Sequence, residues 1–187
     1  MDLLVSILER SPIIAAVKSE PQLDAAIASP CGVIFLLCGD ICSVPAAVGR
    51  IHAAGKRAIV HLDLISGLAQ KDAAVDFLHA YAHADGIIST RPNLIRRAKE
   101  LGLFAILRVF VIDSMALDNI ARETAMVTPD VIEILPGAMP KIIRRLAASV
   151  RVPIVAGGLI SDKEDIVGAL AAGALAVSST NAALWNE

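Results

Sequence analysis

Short apolar runs recur along the chain about every 23 residues, at 12–17, 33–37, 58–62, 86–89, 104–109, 131–135, 153–156 and 174–178. They are continuous and rich in Val and Ile rather than alternating with polar residues, as expected of strands covered on both faces. Between them lie helical patterns with recognisable punctuation. Ser19-Glu20-Pro21 and Ser43-Val44-Pro45 read as helix starts, with a cap residue ahead of a proline tolerated in the first turn. Further helices are predicted over 71–81, 93–101, 113–126, 139–149 and 162–172, several stopped by a following glycine such as Gly102 or Gly173. A strand, a short loop and about three helical turns fit the repeat, and repetition of that unit implies a parallel sheet. Eight such strands predict an α/β fold of the (β/α)8 TIM-barrel type, compact and with some helices shortened. An open, doubly wound sheet is the alternative.

No linker or low-complexity tract interrupts the series, so residues 1–187 are expected to form a single barrel domain. Apolar residues make up 56% of the chain, charged residues 19% and aromatic residues 3%, which argues for a core of Ala, Val, Ile and Leu and against disorder. No apolar run reaches the ~18 residues needed to span a bilayer. The opening MDLLVSILERS lacks the basic start of a signal peptide, so a cytoplasmic location without membrane association is expected. Cys31, Cys38 and Cys42 match no familiar metal spacing and are odd in number. They are read as reduced thiols, with no metal or cofactor expected.

Candidate chemistry concentrates at the predicted strand ends, where barrels of this type place their sites. The stretch VPIVAGGLISDKEDIVGALAAGALAVSST, residues 152–180, carries a glycine pair after the seventh strand and Ser178-Ser179-Thr180 at the end of the eighth. Glycine lets backbone N–H groups approach a ligand, and a short helix after the last strand offers further donors. Gly157, Gly158, Ser178 and Ser179 are therefore candidate phosphate ligands. Lys18, Asp40, Asp63, Arg91, Arg108 and Glu133 also fall at or near strand ends, and His61 and Asp63 are expected on one face of the third strand. Of these, Lys18, Asp63, Arg91, Arg108 and Glu133 are candidates for the rest of the ligand. An unpaired carboxylate inside VIEIL would be costly, so Arg108 is the expected partner of Glu133. A buried ion-pair network at the barrel mouth is the competing reading of these charges. Nucleotide-binding glycine loops, zinc-protease helices and hydrolase elbows are absent from the sequence.

Several segments resemble a known family: FLLCGD (35–40), VHLDLISGL (60–68), KDAAVDFL (71–78), ADGIISTRPNLIRRAKELGL (84–103), EILPGAMPKII (133–143), AGGLISDKEDI (156–166) and SSTNAALW (178–185). Together they are similar to the glycerol uptake operon antiterminator family, in register over essentially the whole chain. Cys38 and Pro92 stand where a small polar residue would be expected. The resemblance implies a phosphate-binding barrel without enzymatic activity. It would respond to glycerol 3-phosphate as effector, bind the leader messenger RNA of a glycerol operon, and prevent transcription from terminating. A phosphosugar isomerase, aldolase or lyase using the same phosphate site is the alternative, and a purely scaffolding barrel a third reading.

A net charge of −2 supplies no global basic field, so RNA affinity would have to come from local cation clusters. Arg96, Arg97 and Lys99 form one on the fourth predicted helix, and Lys141, Arg144 and Arg145 another on the sixth. With one Trp and one Tyr, stacking platforms for single-stranded RNA are nearly absent. Structured RNA gripped through its backbone is the expectation, with a homo-oligomer as one way to join such patches.

Overall fold

Alternation along the strands divides two hydrophobic sets, one facing the barrel lumen and one facing the outer helices. The computed structural model describes residues 3–187. Eight parallel strands close into a barrel in sequence order: β1 (Ile13–Val17), β2 (Val33–Leu36), β3 (Arg57–His61), β4 (Gly86–Ser89), β5 (Phe104–Phe110), β6 (Val131–Leu135), β7 (Ile154–Gly157) and β8 (Ala176–Ser179). The open-sheet alternative is thereby excluded: β8 pairs with β1, with Ile14 opposite Ser178.

Residues two apart share a strand face. Ile14, Phe35, Ile59, Ile88, Ile106, Val131, Val155 and Ala176 form a lumen cluster, and their alternates pack outward against the helices. Helix α1 (Leu3–Arg10) precedes the first strand, and its Leu4 and Leu8 join the lumen cluster. It packs into the N-terminal end of the barrel, opposite the mouth formed by the strand C-termini. Seven further helices ring the outside: α2 (Glu20–Ala28), α3 (Val44–Ala53), α4 (Asp72–Ala80), α5 (Pro92–Glu100), α6 (Ser114–Val127), α7 (Pro140–Ser149) and α8 (Lys163–Ala171). A 3-10 segment, Ala182–Asn186, follows β8 in place of another helix; its Trp185 is buried and donates Nε1–H to Ser179 O at 2.8 Å.

Local chemistry explains several boundaries. Asp113 and Asp162 cap α6 and α8 by accepting from Ala116 N and Asp165 N at 2.7 and 2.9 Å. The serines expected to cap α2 and α3, Ser19 and Ser43, make no such side-chain bond; a proline in each first turn removes one N–H that would need a partner and presets φ. At the base, Asp85 Oδ2 accepts from Ala58 N and Asp130 Oδ2 from Ala105 N, at 2.8 and 2.9 Å. Each thus ties the turn before one strand to the start of its neighbour. No helix of the described residues is long and apolar enough to cross a membrane.

Candidate functional site

At the open mouth, the loops after β7 and β8 enclose a cavity of about 120 Å3 with the lumen ends of β5, β6 and β8. Its floor is polar: Arg108, Glu133 and Ser178 all point inward because they lie two residues beyond the lumen residues Ile106, Val131 and Ala176. Arg108 Nε donates to Glu133 Oε2 at 2.7 Å, and Ser178 Oγ donates to Glu133 Oε1 at 2.6 Å. Glu133 is 1% exposed, so this pairing compensates a charge that would otherwise be stranded in the core. The sequence-based pairing of Arg108 with Glu133 therefore corresponds to a real contact.

The wall is built from backbone. Gly158 and Leu159 both have positive φ, 73° and 59°, which turns the chain sharply after β7. Gly137 N donates to Gly158 O at 2.9 Å, so the β6–α7 loop clasps this turn. A Cβ at Gly137 would stand 2.7 Å from Gly157 N, which explains glycine on the β6–α7 side of the clasp. Among the described residues, the N–H groups of Leu159, Ile160 and Thr180 donate to no acceptor in the chain. They border the cavity together with Gly158 and Ser179. Unspent N–H donors on residues that line a small cavity suit an anion. Ser179 Oγ is committed to Ile160 O at 3.1 Å and Ser178 Oγ to Glu133, so anion donors here are main-chain amides rather than these hydroxyl protons.

The remaining candidates stand apart. β3 ends at His61 and a 3-10 turn, Leu62–Leu64, follows, so Asp63 does not share a strand face with His61 as alternation suggested. The turn carries Asp63 over to β4, where its carboxylate accepts from Ser89 Oγ at 3.0 Å and from Thr90 N at 2.9 Å. Arg91 Nε lies 3.9 Å from Asp63 Oδ1, making a rim pair outside the cavity lining. Pro92 opens α5 directly after it. Asp40 caps its own turn by accepting from Cys42 N and Ser43 N, both at 2.8 Å. Lys18 is exposed just beyond β1, and its backbone N donates to Gln22 Oε1 at 2.9 Å. Sequence reasoning singled out Arg108, Glu133, Gly158, Ser178 and Ser179, which the fold gathers around one cavity. It did not single out Leu135, Leu159, Ile160 and Thr180, which line it too. The signal for Thr180 was its place directly after Ser179.

His61 points into the lumen two residues beyond Ile59, and its buried Nδ1 has no hydrogen-bond partner. Burial first, then the Arg108 charge, pushes its pKa from 6.5 down to about 4, partly offset by Asp63. The folded state thus binds fewer protons at this residue than the unfolded chain between pH 6.5 and 4. Stability is therefore lost as pH falls through that window, on the order of 2–3 kcal/mol by pH 4.5. Urea titrations at pH 7.5 and 4.5 should show this loss in the wild type and a shallower one in His61→Phe. Equal losses would contradict the assignment.

The two cation clusters differ. On α5, Arg97 is bound to Asp76 and Glu100 at 2.7 and 2.9 Å and Lys99 to Asp130, leaving Arg96 exposed and without an ion pair among the described residues. On α7, Arg145 pairs with Asp118 at 2.9 Å, while Lys141 and Arg144 are exposed and have no ion pair among the described residues. Among the described residues, no group of His, Cys, Asp and Glu is arranged to hold a metal ion.

Comparison with known proteins agrees with this architecture. A family described as glycerol-3-phosphate responsive antiterminator matches residues 13–185. An uncharacterised Escherichia coli protein, YgcP, is 42% identical over 182 residues, 97% of this chain and 95% of that one. The solved glycerol uptake operon antiterminator regulatory protein of Listeria monocytogenes superposes with a TM-score of 0.89 at 36% identity, covering 92% of this chain and 94% of its own. A related Thermotoga maritima structure gives 0.81 at 30% identity, over 94% and 98%. Aldolase barrels match at 12% and 17% identity and share the fold alone.

Proposed function

Because this chain belongs to the glycerol-3-phosphate responsive antiterminator family, we propose that it is a ligand-gated regulator that binds glycerol 3-phosphate at the barrel mouth. With the effector bound, it would hold the leader messenger RNA of a glycerol-utilisation operon and keep transcription from terminating. The observation that carries the ligand half is the set of unspent amides of Leu159, Ile160 and Thr180 around the cavity beside Gly158. The phosphate sits on these amides, and Arg108, Glu133 and Ser178 face the glycerol end. Lys18 and the Asp63–Arg91 pair belong to the rim that the ligand passes.

Catalysis is disfavoured by the same floor. Its one acid and one cation are bound to each other, Arg108 Nε to Glu133 Oε2 at 2.7 Å. No lysine lines the cavity to form a Schiff base.

Of the two cation clusters, α7 is the better RNA surface, since Lys141 and Arg144 are uncommitted whereas two of the three α5 cations are tied down. Effector binding would act by favouring the RNA-competent state, which must bind it more tightly than the alternative. The test is a titration of the operon's leader RNA with and without glycerol 3-phosphate. Wild-type binding should strengthen with effector and weaken steeply with salt. Arg144→Glu/Arg145→Glu should abolish it at about 150 mM salt while leaving effector binding intact. Unchanged RNA binding by the double variant would remove α7 from the interface, and no RNA binding by the wild type would sink the regulatory reading.

A further inference from the structure

The cavity floor is more elaborate than a phosphate site requires. Glu133 is buried, and each of its carboxylate oxygens already accepts one hydrogen bond, from Arg108 Nε and from Ser178 Oγ. Each oxygen keeps a further lone pair, and the carboxylate borders the cavity. Ser178 has given its one hydroxyl proton to Glu133, so toward a ligand it can only accept. Arg108 is the opposite: with Nε spent on Glu133, its Nη groups remain as donors. The floor therefore offers two acceptors and one forked donor side by side.

Its geometry is protected by the neighbouring strand. A Cβ at Gly157 would stand 2.6 Å from both Glu133 Oε1 and Ser178 Oγ. Only glycine leaves room for the Ser178–Glu133 contact. Three strands thus share in holding one carboxylate in place, with its partners fixed by strand register: Arg108 is directly opposite Glu133, and Gly157 opposite Ser178.

We infer that this floor reads alcohol hydroxyl groups and so selects a polyol monophosphate over the ketone of the same carbon skeleton. The inference rests on the effector reading above, in which the phosphate occupies the loop amides. A hydroxyl group is both donor and acceptor: it gives its proton to Glu133 or Ser178 while its oxygen accepts from Arg108 Nη. A carbonyl oxygen only accepts. Placed on this floor it satisfies Arg108 but turns its lone pairs toward an ionised carboxylate that has nothing to donate. Sites built to bond a hydroxyl reject analogues that lack it, because their own buried groups are left unpaired. Glu133 is the specificity-determining residue, and Ser178 positions it.

Calorimetric titration of the full chain with glycerol 3-phosphate and with dihydroxyacetone phosphate tests this. The wild type should prefer the alcohol by about tenfold or more, the effect of one charge-assisted hydrogen bond made or lost. Glu133→Gln keeps an acceptor for Arg108 Nε but brings an N–H2 donor to the floor. The alcohol-to-ketone ratio should then fall to about one or reverse. Loss of a negative charge strengthens the binding of both phosphates, and the ratio cancels that effect. Ser178→Ala should lower the ratio by a smaller factor, and it provides the reading if Glu133→Gln does not fold. Equal wild-type affinity for alcohol and ketone, or a ratio unmoved in the folded variants, would overturn the inference while leaving the effector site standing. A wild type that binds neither ester overturns the effector reading and the floor assignment together.

Discussion

Arg108→Met is expected to lower the unfolding free energy by about 3–5 kcal/mol, the usual cost of stranding one member of a buried ion pair. Glu133 is only 1% exposed between β5, β7 and β8, so cavity water replaces the guanidinium only in part. Among the described residues, Ser178 Oγ would remain its one side-chain partner. The double variant Arg108→Met/Glu133→Leu should recover most of the loss, because apolar residues of similar volume replace buried pairs at little cost. Urea unfolding of wild type, both single variants and the double variant gives the coupling between the two positions. Additive losses would mean that the pair is not coupled in the way the 2.7 Å contact implies. The double variant should also lose effector binding even where stability returns, since both floor groups are gone.

Gly158→Asp should lower glycerol 3-phosphate affinity by about a hundredfold, which corresponds to about 2.7 kcal/mol. The residue lies at φ 73°, on the turn beside the unspent amides. A carboxylate there competes with the phosphate for the same donors and repels it. Space allows the side chain, since a Cβ would stand 3.2 Å from Leu135 Cδ2, the end of a side chain that can yield, while the left-handed φ adds backbone strain. Asp also occupies the left-handed region more readily than most residues. Gly158→Ala separates strain from charge, and calorimetry should find it retaining most of the affinity. Similar losses in both variants would assign the effect to backbone geometry rather than to an anion site.

Strand positions were legible because a barrel strand is buried on both faces, which leaves a continuous apolar run. β4 and β6 match their runs at both ends, while β8 begins two residues later than the run at 174–178. The dipeptide Ala174-Leu175 is apolar for another reason: as the chain enters the strand, Ala174 joins the outer core and Leu175 packs against the lumen cluster, with Leu175 N donating to Ile154 O. Helix α1 was not legible. Its eight residues precede the repeating unit, and the use of Leu4 and Leu8 as a plug depends on barrel closure, which no local pattern encodes. The ion pair at the floor could be anticipated, because a carboxylate within VIEIL demands a partner. The commitment of the Ser178 hydroxyl could not, since it follows from β8 reaching Glu133 across β7. Asp63 was misplaced for a similar reason: the chain leaves β3 in a 3-10 turn, which breaks the alternation that would have aligned it with His61.

Melting of the protein against increasing glycerol 3-phosphate, with glycerol in parallel, tests the sensing role most directly. Ligand that binds only the folded state stabilises it by mass action, by about 2.7 kcal/mol at a hundred times the dissociation constant. For a chain of this size that raises Tm by about 5–10 °C. The phosphate ester should produce this progressive rise, and glycerol at the same concentrations far less, because the charge-assisted contacts to the loop amides come only from the phosphate. Equal shifts from the two compounds, or none from the ester, would contradict a phosphate sensor at the barrel mouth.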